Sequence, residues 1–428
     1  MNRQPLFLVL TLPAALLIAF FCALPSAPPA LAGQPGGTMI VTSNLDNNVP
    51  DSVLTLREAI LIAMGGTGPN GLNRPLTADE YTTAASKCTV DVSYNIIGDC
   101  GASYDDVIQF GSNGGHVRLA SDLPPINDTG LTSINGQEPT GFATVDGSGA
   151  AHGFDLQSDN NVVTRLNLTN MAGYGVHITT SNNLVSGVVI TGVTGSGIVI
   201  NGGGGNRILA VEVGANGSEP CTAPTVSASG IVLSGTVTGT QITDTLLRCN
   251  GEYGILLDGA GTAGNVIGNG PTGGLTGCRV AAPRTGCIEG NRLDGIREQN
   301  GAAGNTWSKI PIYDNGGLGI SKSDTTRVPA PALTGMTLAP AGYTLRGTAA
   351  PGGTVELYQA APDPSGAGEG RTYLATATAD VTGAWSADVG GRSRCFTAFQ
   401  TAFGSGPLES SEFARNLCLS LYLPLVLK

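Results

Sequence analysis

From Gly153 onward one short phrase recurs: Gly153-Phe154-Asp155-Leu156, Gly175-Val176-His177-Ile178, Gly197-Ile198-Val199-Ile200, Gly230-Ile231-Val232-Leu233, Gly254-Ile255-Leu256-Leu257, Gly295-Ile296-Arg297-Glu298 and Gly319-Ile320-Ser321-Lys322. The spacings are 22, 22, 33, 24, 41 and 24 residues, a base period of 22–24 lengthened twice. The first and third residues after each glycine are mostly apolar and the second varies, which is the alternation of a strand with one buried face. Phe154, Val176, Ile198, Ile231, Ile255, Ile296 and Ile320 are therefore expected to stack inside. A second strand signal follows in most units (Val162-Val163, Leu184-Val185, Ile208-Leu209, Val266-Ile267), commonly after an amide residue: Asn161, Asn183, Asn206, Gln241, Asn265 and Asn305. Asparagine suits a stacked bend, because it tolerates left-handed backbone and its amide can bond to its copy one coil away.

A unit this short cannot bury its apolar face alone and must stack on its neighbours. The pattern predicts an all-β protein built on a right-handed parallel β-helix; the leucine-rich-repeat frame that shares this period is absent. Weaker phrases at Val107–Phe110, Val117–Leu119, Leu131–Ile134 and Ala143–Val145 read as earlier coils. About nine coils at roughly 4.8 Å each make a rod of about 40 Å. The longer spacers, around 213–229 and 267–290, read as loops leaving the coil. Glu298 and Lys322 stand where apolar residues are due, which reads as burial failing where the solenoid ends.

Composition agrees. With 64 Gly and 25 Pro in 428 residues and only 5% aromatic residues, helical bundles are excluded. A formal charge of −11 argues against nucleic acid as partner. Residues 1–32 read as a secretory signal peptide, with an apolar run from Leu6 to Ala23 and Ala30-Leu31-Ala32 as the cleavage site. No further apolar run is long enough to span a membrane, so the mature chain is expected to lack a transmembrane segment and to be extracellular or at the cell surface. Its eight cysteines are expected to pair with sequence neighbours, as Cys88–Cys100, Cys221–Cys249, Cys278–Cys287 and Cys395–Cys418. No C-x-x-C spacing suggests zinc. No cofactor is expected; Asn44, Asp46, Asn47, Asn48 and Asp51 offer oxygens for Ca²⁺ but no calcium-loop motif, and turn chemistry explains them.

An open solenoid end needs a cover. Thr55-x-x-Glu58 is a capping box, and Leu56, Ala59, Ile60 and Ala63 form a helical stripe ended by Gly65-Gly66, so a short capping helix is expected there. Thr55-Leu56-Arg57-Glu58-Ala59-Ile60, followed by Asp106-Val107-Ile108-Gln109-Phe110, resembles the start of bacterial secreted proteins of the Cys-Ser-Leu-Arg-Glu-Ala domain type. The resemblance spans residues 38–325 and implies a right-handed parallel β-helix behind that element. It departs at Leu54 and Thr55, which stand for the family's Cys and Ser; if that Cys forms a disulfide, Cys88–Cys100 takes its place. Arg57 and Glu58 are explained by capping and a salt bridge rather than catalysis.

The texture changes after Arg327. Strand-like runs at 343–348, 353–359, 372–378, 384–389 and 395–402 suggest a small β-sandwich with Trp385 in its core. Gly347–Leu357, Ala379–Trp385 and Ser411–Phe413 are similar to bacterial Ig-like repeats of surface proteins. The expected organisation is a signal peptide at 1–32, the capped β-helix at 33–327, an Ig-like sandwich at 328–420 and a tail at 421–428. The tail resembles the end of some exported bacterial proteins, as a sorting signal or a last strand.

Stacking the units places Asp155 beside His177 on the outer face, with Gln157, Thr179, Asn201, Ser234 and Asp258 in the fourth position. β-Helices resemble polysaccharide lyases, hydrolases and epimerases in scaffold, but scaffold is not function. The polygalacturonase-like Asn-Thr-Asp, Gly-His-Gly and Arg-Ile-Lys series is absent, Asp105-Asp106 precedes the regular coils, and no pectate-lyase-like signature occurs. The reading is a structural, adhesive or glycan-binding protein with extracellular polysaccharide or cell-surface components as partners. The alternative is a carbohydrate-active enzyme using Asp155, His177 and Asp258.

Overall fold

The computed structural model describes residues 35–65, 71–84, 90–96, 105–138, 141–150, 152–214, 221, 226–268, 286–324, 327–361, 368–391, 393–404 and 406–419. The expected signal peptide, the tail at 421–428, and Cys88, Cys100 and Cys278 lie outside them.

Three stacks of short parallel strands make up the solenoid. One has nine strands, from Pro35–Val41 through Asp105–Phe110 and Thr132–Asn135 to Thr306–Ser308; it begins one coil earlier than the sequence phrases indicate. The second has seven, running from Phe154–Leu156 to Ile320–Lys322, one from each glycine-marked phrase. The third runs from His116–Arg118 to Ile312–Tyr313 and then continues into the C-terminal region. The register within the second stack follows the phrase, with Phe154, Val176, Ile198 and Ile231 aligned and fully buried or nearly so. Burying an aliphatic or aromatic side chain contributes about 1.5–3 kcal/mol, so repetition of this row is the main support of the coil.

Bends between strands are held by amide ladders. The backbone N–H of Asn161 donates to Oδ1 of Asn183 at 2.8 Å, that of Asn183 to Asn206 at 2.9 Å, that of Thr240 to Asn265 at 2.9 Å and that of Asn265 to Asn305 at 3.0 Å. These asparagines are fully buried, so each bond satisfies groups that water cannot reach. Two details differ from the sequence reading. The left-handed residue is the one before the ladder position: Asn160, Asn182, Gly205, Gly239, Gly264 and Gly304 have φ of 61–69°. Gln241 already lies in the strand, paired with Arg207, so Thr240 holds the ladder place. A second ladder on another corner joins Asn250, Asn291 and Asn315.

Helix Leu56–Ala63 packs against the first two strands of the nine-stranded sheet, with Leu56, Ala59, Ile60 and Ala63 buried, and both halves of the Thr55–Glu58 capping box are made. Helix Ala78–Thr83 repeats the device with Thr77 and Glu80. Arg74 joins them, its guanidinium lying 2.6 Å from Glu58 and 2.8 Å from Glu80. Arg57 chelates Asp46 at 2.8 Å and donates to the carbonyls of Ser121 and Asp122, fastening the helix to the first coils. Asn48 accepts from Arg74, and Asp51 accepts from the Val53 N–H, so these oxygens serve the cap.

The C-terminal region forms two antiparallel arrays. Ala332–Ala339, Gly342–Thr348 and Ala384–Gly390 make a three-stranded sheet; Glu369–Thr378, Thr354–Ala361, Cys395–Phe403 and Leu408–Ser410 extend the third stack of the solenoid, through an antiparallel bridge between Ile312 and Gly370. Trp385 is buried between the arrays with Leu345, Val355 and Phe396. Tyr358, Phe399 and Phe413 belong instead to the solenoid core and close its open end. Disulfides join Cys221 to Cys249 and Cys395 to Cys418, and Cys287 is also disulfide-bonded.

Glu298 and Lys322 are not exposed by a failing solenoid. They are 2% and 6% exposed, and Lys322 Nζ lies between Glu298 Oε1 at 2.9 Å and the carboxylate of Glu409 from the C-terminal region. Opposite charges on adjacent coils are admitted to the interior because a third charged group meets them there.

Candidate functional site

Strand alternation turns Asp155 and His177 outward between buried neighbours, and the parallel register sets them side by side. The glycines that open these strands are needed for close approach: a Cβ on Gly153 lies 2.1 Å from the carbonyl oxygen of Gly175. His177 Nδ1 is 2.9 Å from Asp155 Oδ1, and His177 Nε2 is 3.0 Å from Asn201 Oδ1 in the next coil. Gln157 donates to the other Asp155 oxygen at 2.7 Å. The side chains of His177 and Asp155 keep 16% and 21% of their surface open to solvent.

Two aromatic rings border this chain. His152 and Tyr174 stack with centroids 4.0 Å apart and planes 15° from parallel, and Tyr174 leans on His177 at 4.8 Å. The His152 N–H donates to Asp122 at 2.9 Å, and the Asp122 carbonyl accepts from Arg57 of the capping helix. The cap thus braces the loop on which the aromatic step rests. Neither ring was singled out from the sequence, although they lie 22 residues apart, the length of one unit.

The surroundings shift three groups of the cluster. Burial pushes the Asp155 carboxyl up, but hydrogen bonds from His177 and Gln157 outweigh it and hold the group below the ordinary carboxylate range. The hydrogen bond to Asp155 raises His177 above the usual imidazole value against the opposing effect of burial. Burial, with Asp155 and Asp122 nearby, pushes the Tyr174 phenol up to about 12. Both nitrogens of His177 are engaged: either Nε2 donates to the Asn201 oxygen, or the amide turned over donates to Nε2, and neither arrangement leaves a free ring lone pair.

Asp258 does not join this cluster. Its strand is fifth in the seven-stranded stack where that of Asp155 is first, about 19 Å away at roughly 4.8 Å per strand, and its carboxylate accepts from Asn300 at 2.6 Å. The outward row is also less polar than the repeat suggests. After Asp155 and His177 come Val199, Val232 and Leu256, and then Arg297, which is held by Gln299 and Ser321. A cavity of about 310 Å³ at the hairpin of Leu338, Pro340 and Tyr343 is separate from these groups. Among the described residues no cluster of His, Cys, Asp and Glu has a metal-binding arrangement, and no helix is long and apolar enough to cross a membrane.

Among solved structures, the chain is similar to the tailspike protein gp49 from Acinetobacter baumannii bacteriophage Fri1, a capsular polysaccharide depolymerase, with 9% identity, a TM-score of 0.16, and 73% of this chain and 71% of that chain covered. No curated protein matches the sequence. Residues 133–282 match the family model described as right handed beta helix region. With its parallel strand stacks, the chain therefore contains a right-handed parallel β-helix.

Proposed function

We propose that this is an exported protein that binds polysaccharide on the outer face of the seven-stranded stack, centred on the aromatic step and the Asp155–His177–Asn201 chain. The observation that carries this reading is the aromatic step, with Tyr174 stacked on His152 and leaning on His177 beside Asp155. Binding asks for what is present: a half-buried tyrosine to meet the C–H face of a sugar, with amide and carboxylate groups beside it for hydroxyls. Val199, Val232 and Leu256 extend the surface with an apolar stripe along which a chain can lie.

Export is supported by the leader-like residues 1–32 and by a disulfide count that suits an oxidising compartment. The paired antiparallel arrays around Trp385 support an Ig-like reading of residues 328–420, as in surface proteins. The test is to incubate residues 33–428 with acidic and neutral polysaccharides and score retention and chain length together. Retention without shortening, lost in Tyr174→Ala, supports the reading. Cleavage abolished by Asp155→Asn or His177→Ala replaces it with an enzyme, and retention on no glycan removes it.

A further inference from the structure

At the junction of the last coil with the C-terminal sheet, Lys322 projects into a site closed to water. Its side chain is 0% exposed, and those of Glu298 and Glu409 are 3% and 2% exposed. Lys322 Nζ contacts Glu409 Oε1, lies 2.9 Å from Glu298 Oε1, and donates to the Ser410 carbonyl at 2.8 Å. The Trp307 ring lies 5.2 Å from Nζ. The other oxygen of Glu409, Oε2, accepts from the buried N–H of Gly304 at 3.3 Å. Glu298 is held in place by the Asn305 amide at 2.9 Å.

We propose that Lys322 and Glu409 condense to an isopeptide bond, with Glu298 as the catalytic acid–base, so that the C-terminal sheet is covalently fastened to the end of the solenoid. An amine, a carboxyl group and a second carboxyl touching that amine are the parts such a reaction needs, and the fold holds them together, which lowers the entropic cost of bringing them to one another. An ion pair away from water is poorly solvated, so proton transfer from the ammonium to Glu409, giving amine and carboxylic acid, is less costly than in solution. The Nζ lone pair then attacks Cδ of Glu409. Charge gathers on Oε2, where the Gly304 N–H already donates. Glu298 gives its proton to the departing Oε1 hydroxyl, and its carboxylate takes one from the new ammonium nitrogen. One C–N bond forms, one C–O bond breaks, one water leaves, and nothing is oxidised or reduced. Burial raises Glu298 above the ordinary carboxylate range, against the pull of Lys322 and Asn305, which favours the acid form that this role requires.

The direct test is peptide mapping of the full chain by mass spectrometry after reduction of its disulfides. The expected result is a branched peptide containing both Lys322 and Glu409, lighter by one water than its two parts, with no tryptic cleavage after Lys322. Glu298→Gln keeps the size and hydrogen bonding of the side chain but not its acid, and is expected to lower the linked fraction at a fixed time roughly hundredfold. Wild-type protein whose Lys322 and Glu409 peptides are separate and of full mass overturns the proposal and leaves a buried ion triad. Full linkage in Glu298→Gln overturns the role of Glu298. The wild-type measurement needs no variant to fold.

Discussion

Glu369, in the C-terminal sheet, gives Asn315 the bonds that an asparagine one coil further on would give. Its Oε1 accepts from the backbone N–H of Asn315 at 3.1 Å and from the side-chain amide at 3.2 Å, while Oε2 accepts from the N–H of Asp314 at 2.6 Å. At another corner Glu356 accepts from Ser308 Oγ and the Lys309 N–H, and Glu412 accepts from the Lys322 N–H. Carboxylates from the C-terminal sheet thus close the unpaired edge of the last coil, where a further coil is missing. Glu369→Ala removes the acceptor of the Asp314 and Asn315 N–H groups, which are only partly buried, at a cost of about 0.5–1.5 kcal/mol for each hydrogen bond lost. The expected outcome is a lower urea midpoint, with Glu369→Gln intermediate because its amide keeps one acceptor oxygen. Equal midpoints for Ala and wild type contradict the capping role.

Thr240 interrupts the first amide ladder. The amide oxygens of Asn206 and Asn265 accept from the coil before each of them, but Thr240 Oγ1 is buried without a hydrogen bond. Thr240→Asn supplies the missing amide and is expected to stabilise the protein by about 1 kcal/mol, the value of one net hydrogen bond. Chemical denaturation of the two proteins measures this, and a loss of stability shows that the bend at this coil cannot take an amide.

The seven-stranded stack was legible because both its cause and its signal are local and periodic: alternate residues after a glycine point inward, and the pattern returns every unit. The first capping helix was legible from Thr55, Glu58 and a helical stripe; the second, with Thr77 and Glu80, carries the same box but no stripe long enough to mark it. The aromatic step was missed because His152 and Tyr174 are followed on the next coils by serines, Ser196 and Ser229, so two rings in register did not look like a pattern. The closure of the solenoid depends on contacts between residues far apart, Lys322 with Glu409 being 87 positions away. Its one local trace was the pair of opposite charges in neighbouring phrases, which was mistaken for exposure.

Arg74 is the bridge of the N-terminal cap. Glu58 and Glu80 are 1% and 0% exposed in their side chains, and both rest on its guanidinium. Arg74→Met leaves two buried carboxylates without their cation, and removal of one partner of a buried ion pair costs about 3–5 kcal/mol. Thermal unfolding is expected to begin much earlier in this variant. Adding Glu58→Gln, which removes one of the stranded charges, is expected to recover part of the loss; independent, additive effects of the two substitutions exclude the bridge.

The rung of Asp155 and His177 has a pH window whose edges have opposite signs. His177 is raised above 6.5 by its bond to Asp155, so its contribution is complete below that value and is lost as pH rises through the higher folded value. Asp155 is lowered from 3.8, so its contribution is present above that value and is lost as pH falls through the lower folded one. The rung is therefore most stabilising between the two ordinary values, in mildly acidic solution. NMR titration of the His177 ring is expected to give a midpoint above 6.5 that falls in Asp155→Asn. The stability difference between wild type and His177→Gln is expected to shrink as the solution is made alkaline, because the neutral ring keeps only an uncharged hydrogen bond to the carboxylate. A midpoint at or below the ordinary imidazole value, unchanged by Asp155→Asn, means that the two side chains do not share a proton-bearing bond in solution.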